Sequence, residues 1–382
     1  MDAPLKLAIL GDICPTQDYR SLFDNNNAEQ LLGEAASILR GADLAIGNLE
    51  APATASVEAI LKTGPSLKAL KSDLDILKSA RIGVLSLANN HILDYGAQGV
   101  LDTLEHCEKL GIHTVGAGSN ADAAKKPLFL NIKGRKIGIL SFAEAEFNLA
   151  AEESAGANGF DYFDSIKDIQ QAKKYCDYLI VLYHGGIEHH PYPSPLLQKK
   201  CRAMAEFGAD LVLCQHSHCI GTYEQLHGST ILYGQGNSVF GHQPGNDEWN
   251  EGLLVEVAIS GQGEREIEFV LLNATVEGIR LANKQKTEER LKMMAEMSLA
   301  LKDPGQIEEL WKEFSLGNAP LYYPLLYGRG RIFTKLNRIL NNGLINLIYS
   351  QKERRMTMNL IRCDAHNEVV QTILKEKALK RN

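Results

Sequence analysis

Carboxylate, amide and imidazole side chains recur in this 382-residue chain at one kind of place, just after a short apolar run, and together they could hold divalent metal ions. Asp12 follows Leu5 to Leu10, Glu50 follows Leu44 to Gly47, and Asn89-Asn90-His91 follows Val84 to Ala88. His184 comes after Tyr178 to Leu182, and Gln215-His216-Ser217-His218 after Leu211 to Cys214. An Asp after a strand is more often a helix cap or turn residue than a ligand, so the weight lies on five successive occurrences. His216 and His218 could close a strand as a turn, but two imidazoles so close together are seldom idle. The mixed donor set suits Mn, Fe, Zn or Mg better than a thiolate-bound ion. A closed structural zinc needs only four ligands. Two ions about 3.5 to 4 Å apart can bring the pKa of a bridging water toward about 7 and clamp a phosphoryl centre, an arrangement that needs a shared carboxylate.

The elements that must position these side chains alternate. Apolar runs of strand length, which also include Thr114 to Val115, Leu128 to Ile132 and Lys136 to Phe142, are separated by helical periodicity at Ala28 to Arg40, Gly96 to Leu110, Ser165 to Tyr175 and Ser194 to Phe207. That is the pattern of an α/β layer architecture, in which ligand sites gather beyond the C-terminal ends of strands. After Cys214 strands follow one another without helices, at Thr222 to Gln225, Thr230 to Tyr233, Leu253 to Ile259 and Glu264 to Leu272, and read as a second sheet. Two domains are expected: residues 1–275, and a mainly helical appendage over 276–382. In the appendage Glu288 to Leu301, Gln306 to Phe314 and a long stretch from Ile332 are helical, interrupted by Asp303-Pro304 and by Pro320 to Tyr327.

Composition excludes some functions. A formal charge of −7 argues against a nucleic-acid partner. The seven Cys form no CxxC pair, and Cys107, Cys176, Cys201 and Cys214 sit in apolar patterns, so reduced thiols and a cytoplasmic location are expected. No apolar run approaches the roughly 18 to 20 residues of a transmembrane segment, and Met1 leads straight into Leu5 to Leu10 with no signal peptide. The run His184-Gly185-Gly186-Ile187-Glu188-His189-His190 is not HExxH and misses HxxEH by one residue, so His189 and His190 read as loop residues near the cleft, with His189 a candidate substrate contact. Gly116 and Gly118 lack the third glycine of a nucleotide fingerprint and mark a turn. Arg329, Arg331, Lys335 and Arg338 flank Ile332, Phe333, Leu336 and Ile339 in an amphipathic basic pattern. Contact with anionic lipid is one reading of it; packing against the main domain is the one expected.

The motifs, in order, are Gly11-Asp12, Gly47-Asn48-Leu49-Glu50, Ala88-Asn89-Asn90-His91 with Asp94-Tyr95-Gly96, and Gly116-Ala117-Gly118. His184-Gly185-Gly186 with Glu188, Gly208-Ala209-Asp210 leading to His216 and His218, and Gly236-Asn237-Ser238-Val239-Phe240 complete them. On these the chain resembles, from about Leu5 to Leu272, the bacterial capsule-biosynthesis CapA (poly-γ-glutamate accessory) family of the calcineurin-like metallophosphoesterase superfamily. The resemblance implies a four-layer αββα sandwich and two divalent ions. Asp12 and His218 would bind the first, Asn90, His184 and His216 the second, with Glu50 where the superfamily has its bridging Asp. His91 would be the acid that protonates the leaving group, with Asp94 supporting it, and Glu188, His189 and Asn237 would face substrate. The chain departs from the superfamily at Asp12-Ile13-Cys14, where an Asp-x-His start is usual. Cys14 is expected to pack or ligate weakly. The implied function is a metal-dependent phosphoesterase in capsule, exopolysaccharide or poly-γ-glutamate biosynthesis, acting on a phosphorylated or polymeric envelope substrate in peripheral association with a biosynthetic complex. The alternative is a non-catalytic accessory protein that binds an envelope polymer or its synthase.

Overall fold

In the strand Leu5–Ile13, alternate side chains serve two different cores: Leu5, Leu7 and Ile9 point one way, Ala8, Leu10 and Ile13 the other. A strand buried on both faces needs an unbroken apolar run, which is how this segment reads. The computed structural model describes residues 3–62, 64–326 and 330–362, with 366 and 370. Leu5–Ile13 lies inside an eight-stranded sheet, with the parallel strands Leu44–Leu49, Ile82–Ser86 and His113–Val115 on one side. On its other side lie the antiparallel strands Glu251–Ile259, Arg265–Thr275 and Gly278–Leu281, and the short Asn237–Val239 pairs with its end. A six-stranded sheet is ordered Tyr223–Leu226, Ser229–Leu232, Leu211–Gln215, Tyr178–His184, Arg135–Ala143, Leu128–Ile132.

The core formed by Leu5, Leu7 and Ile9 also holds Ile137, Ile139, Ile180, Leu182, Leu211 and Leu213 of the smaller sheet, so the sheets face one another. Outside the larger sheet, Leu31, Leu39, Leu74, Leu77 and Val100 bring helices onto its other face. Outside the smaller one, Asp164–Lys173 and Pro195–Glu206 cover the strands with Ile169, Ala172, Cys201 and Met204. The result is the four-layer αββα sandwich. Strand membership differs from expectation. The strands after Cys214 do not make a sheet of their own: Tyr223–Leu226 and Ser229–Leu232 extend the smaller sheet, whereas Glu251–Ile259 pairs with Leu5–Ile13 in the larger.

The single helix expected over Ala28 to Arg40 is two, Ala28–Leu32 and Ala35–Gly41. Gly33 between them has φ +52°, and a Cβ there would lie 2.5 Å from the Ile279 carbonyl oxygen, so the approach of the edge strand Gly278–Leu281 breaks the helix.

Two compact units divide the chain, Met1–Glu308 and Glu309–Asn382. The first runs past the expected boundary at 275, because Gly278–Leu281 completes the larger sheet and Lys284–Ser298 adds Met294 to the inter-sheet core. In the second, Pro320 to Leu326 does not interrupt the helices: Ala319–Leu326 is helical, with Pro320 in a first turn that needs no intrahelical N–H. The helical stretch expected from Ile332 onward comprises, among the described residues, Arg331–Ile339, Gly343–Ile348 and Gln351–Arg362. Asn341 and Asn342 both have positive φ at the first break, and buried Asn337 spans it, accepting from the Ile345 N–H at 3.0 Å. Tyr327 and Arg329 lie outside the described residues.

Candidate metal centre

Parallel strands bring their C-terminal ends to one edge, and that edge is where the expected donors collect. Asp12 pairs in register with Asn48 and Asn237, and Glu50 stays alongside because its N–H donates to the Ile13 carbonyl at 2.9 Å. In the opposite sheet His184 pairs with Gln215, the residue before His216. Hydrogen bonds join the two edges, among them that of the His216 N–H, which donates to Asp12 Oδ2 at 2.9 Å across 204 residues of sequence. His216 and His218 both take positive φ, 89° and 52°, a conformation uncommon for residues with a Cβ and found disproportionately at functional sites.

Two triads result. Glu50, His184 and His216 bring one ligand atom each within 4.8 Å of one another, and Asp12, Glu50 and His218 do the same. Glu50 belongs to both. Asn90 extends the first triad, its Oδ1 3.0 Å from His184 Nε2, which is itself 3.5 Å from Glu50 Oε1. All six side chains are buried.

The polar atoms at this point are badly served by the protein alone. Both Glu50 carboxylate oxygens and His216 Nδ1 have no hydrogen-bond partner although they are buried. Burial, helped by the Asp12 charge, pushes the Glu50 carboxyl up to about 8. Burial also holds His184 below the usual imidazole range and, with the neighbouring imidazoles, His216 well below it. Neutral imidazoles around an unpaired buried carboxylate are what divalent cations require of their ligands, and orphaned polar atoms in a native core call for such an explanation.

Other residues orient these donors. Asn48 Nδ2 donates to Asp12 Oδ1 at 2.7 Å and lies 3.1 Å from His184 Nδ1. Asn237 Oδ1 lies 2.9 Å from His218 Nδ1, which favours the tautomer that leaves Nε2 free. The other end of the Asn237 amide donates to the Trp249 carbonyl at 3.0 Å, so this residue, expected to face substrate, has its side chain committed to holding a histidine. Cys14 packs in the core beside the first helices and joins neither triad; burial, with Glu50 nearby, raises its thiol well above the usual range.

His91 stands beside the triads without joining them. Asn89 sets its turn, accepting from the His91 N–H at 3.1 Å while donating to the Leu49 carbonyl at 2.7 Å. His91 Nδ1 lies 2.7 Å from Asp94 Oδ2, and Nε2 points toward Glu50 Oε1 at 3.9 Å. Asp94 also accepts from the Leu67 N–H at 2.6 Å and pairs with Lys62, whose side chain is only 4% exposed. Glu188 and His189 are about half exposed, 4.0 Å apart. The His189 N–H donates to the Ser217 carbonyl, and its ring lies 6.2 Å from that of His218.

Asn48 and Lys62 were not expected here. Asn48 is part of the Gly47 to Glu50 motif and so carried a signal. Lys62 lies in an irregular stretch with no periodicity to place it.

The family model "Bacterial capsule synthesis protein PGA_cap" matches residues 6–242. The "PGA biosynthesis protein CapA" of Bacillus subtilis (strain 168) is 32% identical over 249 residues, 63% of this chain and 64% of that protein. The "Capsule biosynthesis protein CapA" of Bacillus anthracis is 27% identical over 278 residues, 70% of this chain and 67% of its own length. The chain therefore spans about two thirds of the length of these relatives. Among solved structures, a hypothetical protein from Thermus thermophilus aligns over 70% of this chain and 99% of its own at 16% identity, with a TM-score of 0.46.

Proposed function

The chain belongs to the bacterial capsule synthesis protein PGA_cap family, and on that premise we propose that it is a dinuclear metal-dependent phosphoesterase. It would act on a phosphorylated or polymeric envelope substrate in the making of a capsule, exopolysaccharide or poly-γ-glutamate. The observation that carries the reading is Glu50, buried, without a hydrogen-bond partner at either oxygen and common to two triads of donors. Asp12, Glu50 and His218 would hold one cation, and Glu50, Asn90, His184 and His216 the other, from among Mn, Fe, Zn and Mg. Two such ions, when bound, supply Lewis acidity to a phosphoryl centre and acidify an attacking water.

The remaining steps fall to side chains. His91 Nδ1 lies 2.7 Å from Asp94 Oδ2 and 3.1 Å from Lys62 Nζ, which fixes the ring with Nε2 turned toward the site, where a proton on it would pass to the departing oxygen. Lys62 pairs with the Asp94 carboxylate and holds it in place. Asn48 and Asn237 hold Asp12 and His218 in the orientations that binding needs.

A second reading, an accessory protein that binds a polymer or its synthase without turnover, draws on Cys14. With its thiol packed in the core, the Asp12 triad has three donors. Metal analysis together with a panel of phosphomonoesters and phosphodiesters, assayed with several divalent ions, separates the two. Two ions per chain and hydrolysis of at least one ester class are expected, whereas a metal-poor protein with flat activity across the panel moves the assignment to the accessory role.

A further inference from the structure

Charge is unevenly divided along the chain. Residues 309–382 contain 13 Lys and Arg against six Asp and Glu, although the whole chain has 40 against 47, which leaves 27 against 41 for the first 308 residues. A strongly basic segment in an acidic protein indicates an anionic partner. The same segment is rich in exposed apolar side chains, among them Leu321, Ile332, Leu336, Ile339, Leu340 and Leu347.

The two features meet on Arg331–Ile339. Ile332, Leu336 and Ile339 are spaced i, i+4, i+7 and form one row, exposed by 81, 49 and 71%. Arg331, Lys335 and Arg338 have the same spacing one residue earlier, so their row runs parallel, about 100° around the helix. Among the described residues these three cations form no ion pair. Asn337, on a third side, is buried and ties the helix to the next one through the Ile345 N–H. The helix is thus fastened by one side and presents an apolar row and a basic row side by side to solvent.

We propose that this helix, with the exposed Leu347 of Gly343–Ile348, is a docking surface for an anionic lipid bilayer. An interfacial helix lies in the membrane plane with its apolar row among the acyl chains and its cations at the headgroups. A nucleic acid would engage the basic row and leave Ile332, Leu336 and Ile339 in water. A second copy of the helix would set like charges against one another. A bilayer with negative headgroups satisfies both rows. No helix among the described residues is long and apolar enough to cross a membrane, so the contact is with the surface.

The test is co-sedimentation of the full chain with vesicles of phosphatidylcholine alone and of phosphatidylcholine mixed with phosphatidylglycerol. Binding to the mixed vesicles is expected, weakening as salt is raised, with little binding to phosphatidylcholine. Each cation removed should lower the partition coefficient about fivefold, so R331Q/K335Q/R338Q should lose on the order of a hundredfold. I332N/I339N, which changes only exposed positions, should lose at least about tenfold while helix content by circular dichroism stays the same. No binding to the mixed vesicles at low salt, equal binding to both lipids, or preferential retention on DNA overturns the proposal. So does a dimer that I332N/I339N dissociates in a protein that ignores vesicles. Ester hydrolysis by the same preparations is a separate readout, since none of the substituted residues belongs to the metal centre.

Discussion

Replacing Glu50 by Gln tests the centre through stability, with no substrate needed. In metal-free protein the folded chain keeps the Glu50 proton up to about pH 8, whereas a carboxyl with the ordinary value of 4.5 releases it much earlier. Between those values the native state binds more protons than the unfolded state, so the stability contributed by the protonated form is complete below about pH 4.5 and is lost as pH rises toward 8. The displacement of 4.5 to about 8, at about 1.36 kcal/mol per unit, sets a ceiling of roughly 5 kcal/mol. Gln has nearly the same shape and cannot ionise. In a chelator, therefore, Glu50→Gln should match the parent near pH 5 and be the more stable protein at pH 8, with an apparent unfolding midpoint higher by up to about 10 °C. Divalent cation should reverse the order. A hundredfold excess over Kd stabilises the parent by about 2.7 kcal/mol per site, and Glu50→Gln should gain far less because both triads lose their common member. The assay is thermal unfolding of both proteins from pH 5 to 8, with chelator and with Mn or Zn. Parallel pH profiles in chelator, or equal stabilisation of the two proteins by metal, would refute the reasoning.

His91→Ala should keep its metal content while turnover on an alkyl phosphate falls by roughly 10² to 10⁴, and the loss should shrink with a nitrophenyl ester, whose leaving group needs little protonation; loss of metal would instead make His91 a ligand. Lys62→Met leaves the buried Asp94 carboxylate without its cation and should destabilise the fold by roughly 3 to 5 kcal/mol in chemical denaturation. Adding Asp94→Asn should recover part of that cost, and an additive double mutant would show that the two do not interact. Truncation after Glu308 should leave a soluble protein that binds metal, whereas truncation after Thr275 removes an edge strand and Met294 from the inter-sheet core and should aggregate on size-exclusion chromatography; equal behaviour of the two would put the boundary elsewhere.

How much of this could be read in advance differs from element to element. The fold class and the gathering of these side chains were legible because Asp12, Glu50, Asn90, His184, His216 and His218 each follow an apolar run, and parallel strands deliver such positions to one edge whatever the distance between them in sequence. Sheet membership was not. Glu251–Ile259 and Arg265–Thr275 have the alternation of a hairpin that could extend either sheet, and only the free edge of Leu5–Ile13 settles which one they join. The break at Gly33 likewise depends on the Ile279 carbonyl, contributed by a strand some 250 residues away.

The sequence by itself determined the chemistry available to the protein: carboxylates, an amide and imidazoles at strand ends, a basic amphipathic helix in an acidic chain, and cysteines in apolar surroundings. Tertiary structure alone decided how those groups are used. It placed Glu50 in both triads, set Lys62 from an irregular stretch against Asp94, turned the Asn237 amide onto His218, packed Cys14 into the core, and left Ile332 and Ile339 in solvent. The physical reason is the range of the interactions concerned. Periodicity and turn chemistry act over a few residues and are written in the local sequence, whereas burial, charge pairing and shared ligands depend on partners that only the folded chain brings within a few ångströms.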